Sequence, residues 1–188
     1  MWSEEKIQDY LKKNLRYKRY EHSLGVKDTA VKLAETYKLN IEKAKIAGLV
    51  HDCAKNMNDE QILEIALKHD IKINDVCKES PQLLHGAVGA VLAKEIMGID
   101  DKEILDAITY HTTGRKNMSM IDKVIYIADY IEPLRNFPGV EELREVAFKD
   151  IDKALLKSFD NTIKFVIDRK QLLHFDTIEA RNHLISIK

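Results

Sequence analysis

A chain of 188 residues with 45% hydrophobic and 32% charged residues is long enough for one packed core and too apolar for a disordered segment. Its 30 Lys and Arg nearly cancel 31 Asp and Glu, which argues against a nucleic-acid or anionic-membrane surface, so any anionic ligand must be held by a local cluster. The two cysteines, Cys53 and Cys77, form no CxxC pattern and read as reduced thiols of a cytoplasmic protein.

In chain order, the opening "MWSEEKIQDYLKKNL" is charged and reads as a helix, not a signal peptide. No apolar run reaches the roughly 18 residues that a membrane span requires. Helical periodicity recurs almost everywhere and strand alternation is missing, so an all-α fold is expected, with one domain over residues 1–188. Helices are expected at 3–15, 20–38, 41–52, 59–69, 81–97, 101–112, 119–132, 140–148, 150–170 and 177–185. Ser3, Asn40 and Asn58 offer capping oxygens ahead of acidic first turns, and Pro81 suits a first helical position. Gly98 and Gly114 stop the runs before them, and "EPLRNFPGVEEL" reads as a shaped surface loop.

Residues three, four, seven and eleven apart share a helical face, which tests where each polar side chain points. His22 lies with Val26, Thr29 and Leu33, and His51 with Ala47 and Ala44. His85 lies with Val88, Leu92 and Ile96, and His111 with Ile108, Ala107 and Ile104. Asp129 lies with Ile125, Tyr126 and Ile121, while Asp52 follows His51 directly. A lone inward histidine is usually a satisfied core residue. Five inward polar groups on five helices would each need a partner in an aliphatic interior, and one shared metal centre satisfies them together.

Periodicity alone does not separate His51-Asp52 from a second pair, His69-Asp70, whose histidine shares a face with Ile65 and Ile62 and suits the negative end of a helix. His174 and His183 lie outside the constellation. Imidazole and carboxylate ligands without thiolate favour iron, manganese or a similar ion over a closed structural zinc. Six ligands exceed what one open ion needs, whereas two ions roughly 3.5 to 4 Å apart, bridged by Asp52, would use them all.

The order His22, His51-Asp52, His85, His111, Asp129 resembles that of the HD-domain metal-dependent phosphohydrolases. The strings "EHSLGV", "GLVHDCAK", "LLHGAVGA", "ITYHTTGR", "IYIADYIEPLRNFPGV" and "TIEARN" are similar to those of its YqeK branch, over about residues 17–183. The resemblance implies a single HD-domain bundle of about eight to ten helices that splits diadenosine tetraphosphate symmetrically into two ADP, by attack of a metal-bridging hydroxide. It implies that His22, His51, Asp52 and Asp129 hold one ion and His85 and His111 the second, with Asp52 bridging and iron preferred. The substrate is then a small dinucleoside polyphosphate, with neither nucleic acid nor membrane as partner.

Phosphoryl transfer depends on positioning and charge neutralisation, so basic residues near the ligands are candidate phosphate clamps. Lys55 and Arg115 are the expected catalytic cations beside Asp52, and Arg135 follows Asp129 in the proline loop. Arg19, one turn before His22, and Arg181, in "TIEARN", are further candidate contacts, each weighed against a solvated surface cation. Thr112 and Thr113 either donate hydroxyls to phosphate or merely end their helix. Cys53 and Ala54 border the substrate side of the His-Asp turn, Cys53 as a packed residue and not a nucleophile. Two alternatives stay open: an HD hydrolase of another nucleotide, and a non-catalytic helical protein that senses nucleotide or metal.

Overall fold

A computed structural model describes residues 1–187, and among them every regular element is helical. Eleven α-helices follow in order: α1 Glu4–Asn14, α2 Tyr17–Thr36, α3 Ile41–Val50, α4 Asp59–Lys68, α5 Asp75–Glu79, α6 His85–Glu95, α7 Lys102–Tyr110, α8 Met120–Ile131, α9 Val140–Ala147, α10 Ile151–Asp168 and α11 Phe175–Ser186. This is one more than the expected eight to ten. The addition is α5, five residues whose Asn74 cap accepts from the Cys77 N–H, too short to show helical periodicity.

The caps read from the sequence form: Ser3 accepts from Lys6, Asn40 from Lys43 and Asn58 from Gln61, the last as a reciprocal capping box. Pro81 opens a 3-10 turn over Pro81–Leu84, so the helix expected at 81–97 begins as α6 only at His85. The last helix starts at Phe175, two residues early, because the His174 ring accepts from the Asp176 N–H and caps it.

The centre of the bundle is α8, whose sequence is apolar almost all round and is buried on nearly every side. It packs against α2, α3, α7 and α10, while α2 and α3 lie along one another. Outside this layer, α1 closes over α2 and α3, α6 packs on α7, and α9 and α11 pack on α10. A smaller apolar cluster of Ala54, Ile62, Ala66, Cys77, Leu84 and Val88 joins α4 and α5 to α6. Small residues set one spacing in particular: a Cβ on Gly86 would meet the Thr109 and Ile108 carbonyl oxygens at 2.6 and 2.8 Å. Helices α6 and α7 therefore approach at backbone distance, which brings the start of one to the end of the other.

Candidate metal centre

The six candidate ligands stand at the ends or inward faces of five helices. His22 faces inward from α2, and His51 is the C-cap of α3 with Asp52 in the turn after it, not within the helix as expected. His85 begins α6, His111 is the C-cap of α7, and Asp129 lies in the last turn of α8. The four imidazoles and Asp52 are buried.

Backbone carbonyls set the direction of three rings. His51 Nδ1 donates to Gly48 O at 2.7 Å, His85 Nδ1 to Gln82 O at 2.5 Å and His111 Nδ1 to Ile108 O at 2.7 Å. A carbonyl can only accept, so each Nδ1 carries the hydrogen and each Nε2 presents a lone pair. His22 follows the same rule, with Nδ1 donating to the Glu132 carboxylate at 2.9 Å. Carboxylate- or carbonyl-oriented imidazoles are the usual outer support of metal ligands.

All four Nε2 atoms converge on Asp52, in two groups. Oδ2 lies 3.3 Å from His51 Nε2 and 3.7 Å from His22 Nε2, and the latter stands 3.0 Å from Asp129 Oδ1. Oδ1 lies 3.0 Å from His85 Nε2 and 3.5 Å from His111 Nε2. The two oxygens of one carboxylate thus serve separate ligand sets, the geometry a bridging ligand needs.

The donor set fits divalent cations on its own chemistry. His22 Nε2 and His51 Nε2 are buried without a hydrogen-bond partner. His85 Nε2 and His111 Nε2 stand 3.0 Å apart with both Nδ1 atoms already donating, so two lone pairs face each other and call for a shared cation.

Burial pushes His85 down to about 4 and also lowers His51, despite the Asp52 charge beside both. For His22 burial acts downward too, but the bonds to Asp129 and Glu132 outweigh it and raise the group. Burial opposes ionisation of Asp52 and Asp129, yet the surrounding imidazoles, and Arg135 at Asp129, hold both well below the usual carboxylate range. The unfolded chain takes up protons near pH 6.5, where folded His85 does not until about pH 4. Between those limits the unfolded state binds more protons, and stability falls with falling pH; His51 acts in the same sense and His22 in the opposite one. The chelator-treated protein is expected to lose about 2 kcal/mol from His85 on going from about pH 7.5 to about pH 5. Urea midpoints at the two values check this, and a midpoint that rises on acidification contradicts it.

Among the expected cations, Arg19 and Arg135 reach the cluster. Arg19 meets Asp52 Oδ2 at 2.7 Å, and Arg135 donates to the Asp129 carbonyl at 2.8 Å and to its carboxylate at 2.5 Å. Lys55 Nζ lies 3.4 Å from His85 Nδ1, and burial, with Arg19 nearby, pushes it down. Thr112 Oγ1 stands 3.2 and 3.1 Å from the His85 and His111 Nε2 atoms.

Other expected residues are placed elsewhere. Arg115 pairs with Asp122 at 2.7 Å and Asp106 at 3.0 Å and lies over the Tyr110 ring, fastening the α7–α8 turn instead of facing the ligands. Arg181 pairs with Asp160 on α10 at 2.5 Å. The Thr113 hydroxyl donates to the Gly114 carbonyl, and its own carbonyl accepts from Thr177. Cys53 and Ala54 are buried, Cys53 against the Gly89 carbonyl with burial pushing its thiol up to about 12, which fits packing and not nucleophilic attack. His69 lies 3.7 Å from Glu95 at the end of α4 and takes no part.

Glu132 was not singled out in the sequence. It is 1% exposed, orients His22, accepts from the Leu134 N–H at 2.7 Å, and fits only because residue 25 is glycine: a Cβ there would stand 2.7 Å from Glu132 Oε2. Its position three residues after Asp129 at the end of the same apolar stripe was the available signal. Glu132→Gln is expected to weaken metal binding about 10- to 100-fold, because an amide either loses the His22 acceptor charge or turns its NH₂ against Leu134. Metal titration by calorimetry measures the loss, and unchanged affinity would count against this role.

No helix among the described residues is long and apolar enough to cross a membrane. The HD domain family matches residues 19–134, the stretch from Arg19 through the Asp129 turn. Symmetrical bis(5'-nucleosyl)-tetraphosphatases of Bacillus subtilis and Staphylococcus aureus are 42% and 38% identical to it, over 94% and 95% of this chain and 94% and 93% of theirs. The crystal structure of a protein from Clostridium acetobutylicum, described as a predicted HD superfamily hydrolase involved in NAD metabolism, superposes over all of both chains with a TM-score of 0.98 and 60% identity. The order of ligands, their convergence on one carboxylate and these likenesses lead to one conclusion: the chain belongs to the HD-domain family of divalent-metal-binding proteins, alongside the symmetrical bis(5'-nucleosyl)-tetraphosphatases.

Proposed function

We propose that this chain, as one domain, is a symmetrical bis(5'-nucleosyl)-tetraphosphatase that splits diadenosine tetraphosphate into two ADP. The observation that carries the reading is Asp52, whose two oxygens face two separate imidazole sets, with the relatives' names supplying the substrate class. His22, His51, Asp52 and Asp129 would hold one divalent ion and His85 and His111 the other, with Asp52 shared; the nitrogen and oxygen donors suit iron or manganese, and the preference for iron is what the family resemblance implies. When bound, such a pair supplies a water of lowered pKa and neutralises charge on the reacting phosphates.

The chain's own groups do the rest. The carbonyl and Glu132 bonds to each Nδ1 keep the ligand rings in one tautomer and one orientation. Arg19 and Arg135 stand at the rim with more guanidinium N–H groups than their carboxylates use, so they meet the phosphate oxygens and hold the chain of phosphates across the centre. Lys55, whose charge is disfavoured by burial, gains an anionic partner when a phosphate arrives. Thr112 offers a hydroxyl on the side of His85 and His111. Arg115 and Arg181, tied to carboxylates elsewhere, support the fold beneath the site.

Incubating iron- or manganese-loaded protein with diadenosine tetraphosphate and separating the nucleotides tests the reading. ADP as sole product is expected. ATP with AMP, or no turnover, would sink it and favour another nucleotide or a binding role.

A further inference from the structure

Two clefts adjoin the metal centre, and they differ in kind. One, of about 650 Å³, begins beside His111, Thr112 and Asp129 and runs between the end of α8, the loop holding Phe137, and α10. Its wall is aromatic and already assembled: Phe137 stands edge-on to Tyr130 at 5.3 Å, Tyr126 stacks behind Tyr130 at 6.4 Å, and Phe165 of α10 is 54% exposed. Asn161 and Thr162 supply polar edges there. A volume of this size, planar rings and a few amide and hydroxyl groups are what a nucleoside requires.

The other cleft, of about 680 Å³, begins beside His22 and Glu132 and follows the start of α2. Arg16, Lys18, Arg19 and Arg135 line it against two acids, Glu21 and Glu132. Its one aromatic ring, Tyr17, is 72% exposed at the rim. Arg16 caps α2 without a side-chain bond to the first turn, which leaves the N–H groups of Tyr17 and Lys18, two residues of the cleft lining, without a side-chain cap. Charge and backbone N–H groups hold phosphate but do not read a base. Arg135 borders both clefts and so joins them at the metal centre.

We infer that the two halves of the substrate are recognised by unlike means: the aromatic cleft binds one nucleoside, the basic cleft binds the distal phosphates, and the second nucleoside goes unread. Nucleoside 5'-tetraphosphates are therefore a second substrate class, an inference that rests on the proposed activity. The water oxygen bonds to phosphorus on one side of the linkage between the second and third phosphates. The bridging oxygen leaves with its electron pair and one water proton is released, giving a nucleoside diphosphate and pyrophosphate.

The test uses the metal-loaded full chain with diadenosine tetraphosphate, adenosine 5'-tetraphosphate and inorganic tetraphosphate. The first two are expected within about tenfold of each other in kcat/KM, and inorganic tetraphosphate about 100-fold or more below, having nothing for the aromatic cleft. Phe165→Ala, at an exposed position that does not threaten folding, should raise KM for both adenosine substrates by the same factor and leave inorganic tetraphosphate unaffected. Splitting of the dinucleotide with adenosine 5'-tetraphosphate more than about 100-fold poorer would overturn the inference and leave the proposed activity standing, as would inorganic tetraphosphate matching the nucleotides. A dinucleotide left intact would overturn the proposed activity and this inference with it.

Discussion

Asp52→Ala is expected to reduce hydrolysis of diadenosine tetraphosphate by about 10³-fold or more, equivalent to roughly 4 kcal/mol of lost transition-state stabilisation. The size follows from position. Asp52 Oδ1 and Oδ2 each serve one imidazole set, and Oδ2 also receives Arg19 at 2.7 Å, so a single truncation removes the shared ligand and an anchor of one phosphate clamp. Metal content measured on the purified variant should fall from two ions per chain to less than one. His69→Ala, which alters the other His-Asp pair at the end of α4, should leave both activity and metal content intact. Equal losses in the two variants, or two ions retained without Asp52, would remove it as the bridge.

The second large effect concerns a residue with no functional group. Gly86→Ala would place a methyl 2.6 Å from the Thr109 carbonyl oxygen and 2.8 Å from that of Ile108, both rigid helical backbone. Relief requires α6 and α7 to separate, at a cost of about 2 to 3 kcal/mol. The displaced Ile108 carbonyl is also the acceptor that orients His111, and Gly86 adjoins His85, so the strain falls on the His85–His111 pair. Urea unfolding should show the lost stability, and metal analysis should show about one ion per chain, since His22, His51 and Asp129 lie away from the clash. A variant as stable as the parent would mean that the helices part easily and that the spacing is not set here.

Much of the architecture was legible in the residue order. Ten of the eleven helices were placed, since periodicity and caps are local, and each depends on side chains within a turn or two. His22, His51, His85, His111 and Asp129 were traced inward for the same reason, because a polar residue on an apolar stripe must share that stripe's burial. The short α5 escaped because five residues cannot display a period, and α11 began early because a histidine, not a usual capping residue, accepts at its start.

Contacts between distant segments could not be read that way. By its place in the chain Arg115 is the expected catalytic cation and Arg19 only a further candidate, yet Asp106 and Asp122 take the first while Asp52 receives the second. Glu132 gained its role from a glycine more than a hundred residues earlier; the two His-Asp pairs are alike by periodicity, the family resemblance alone picks out His51-Asp52, and the physical difference is that α3 packs into the centre and α4 at its edge. The physical reason is reach: a helix dictates the face on which a side chain leaves, within a few ångströms. Long guanidinium and carboxylate arms choose partners among whatever the packing of other helices brings near, and no local rule carries that information.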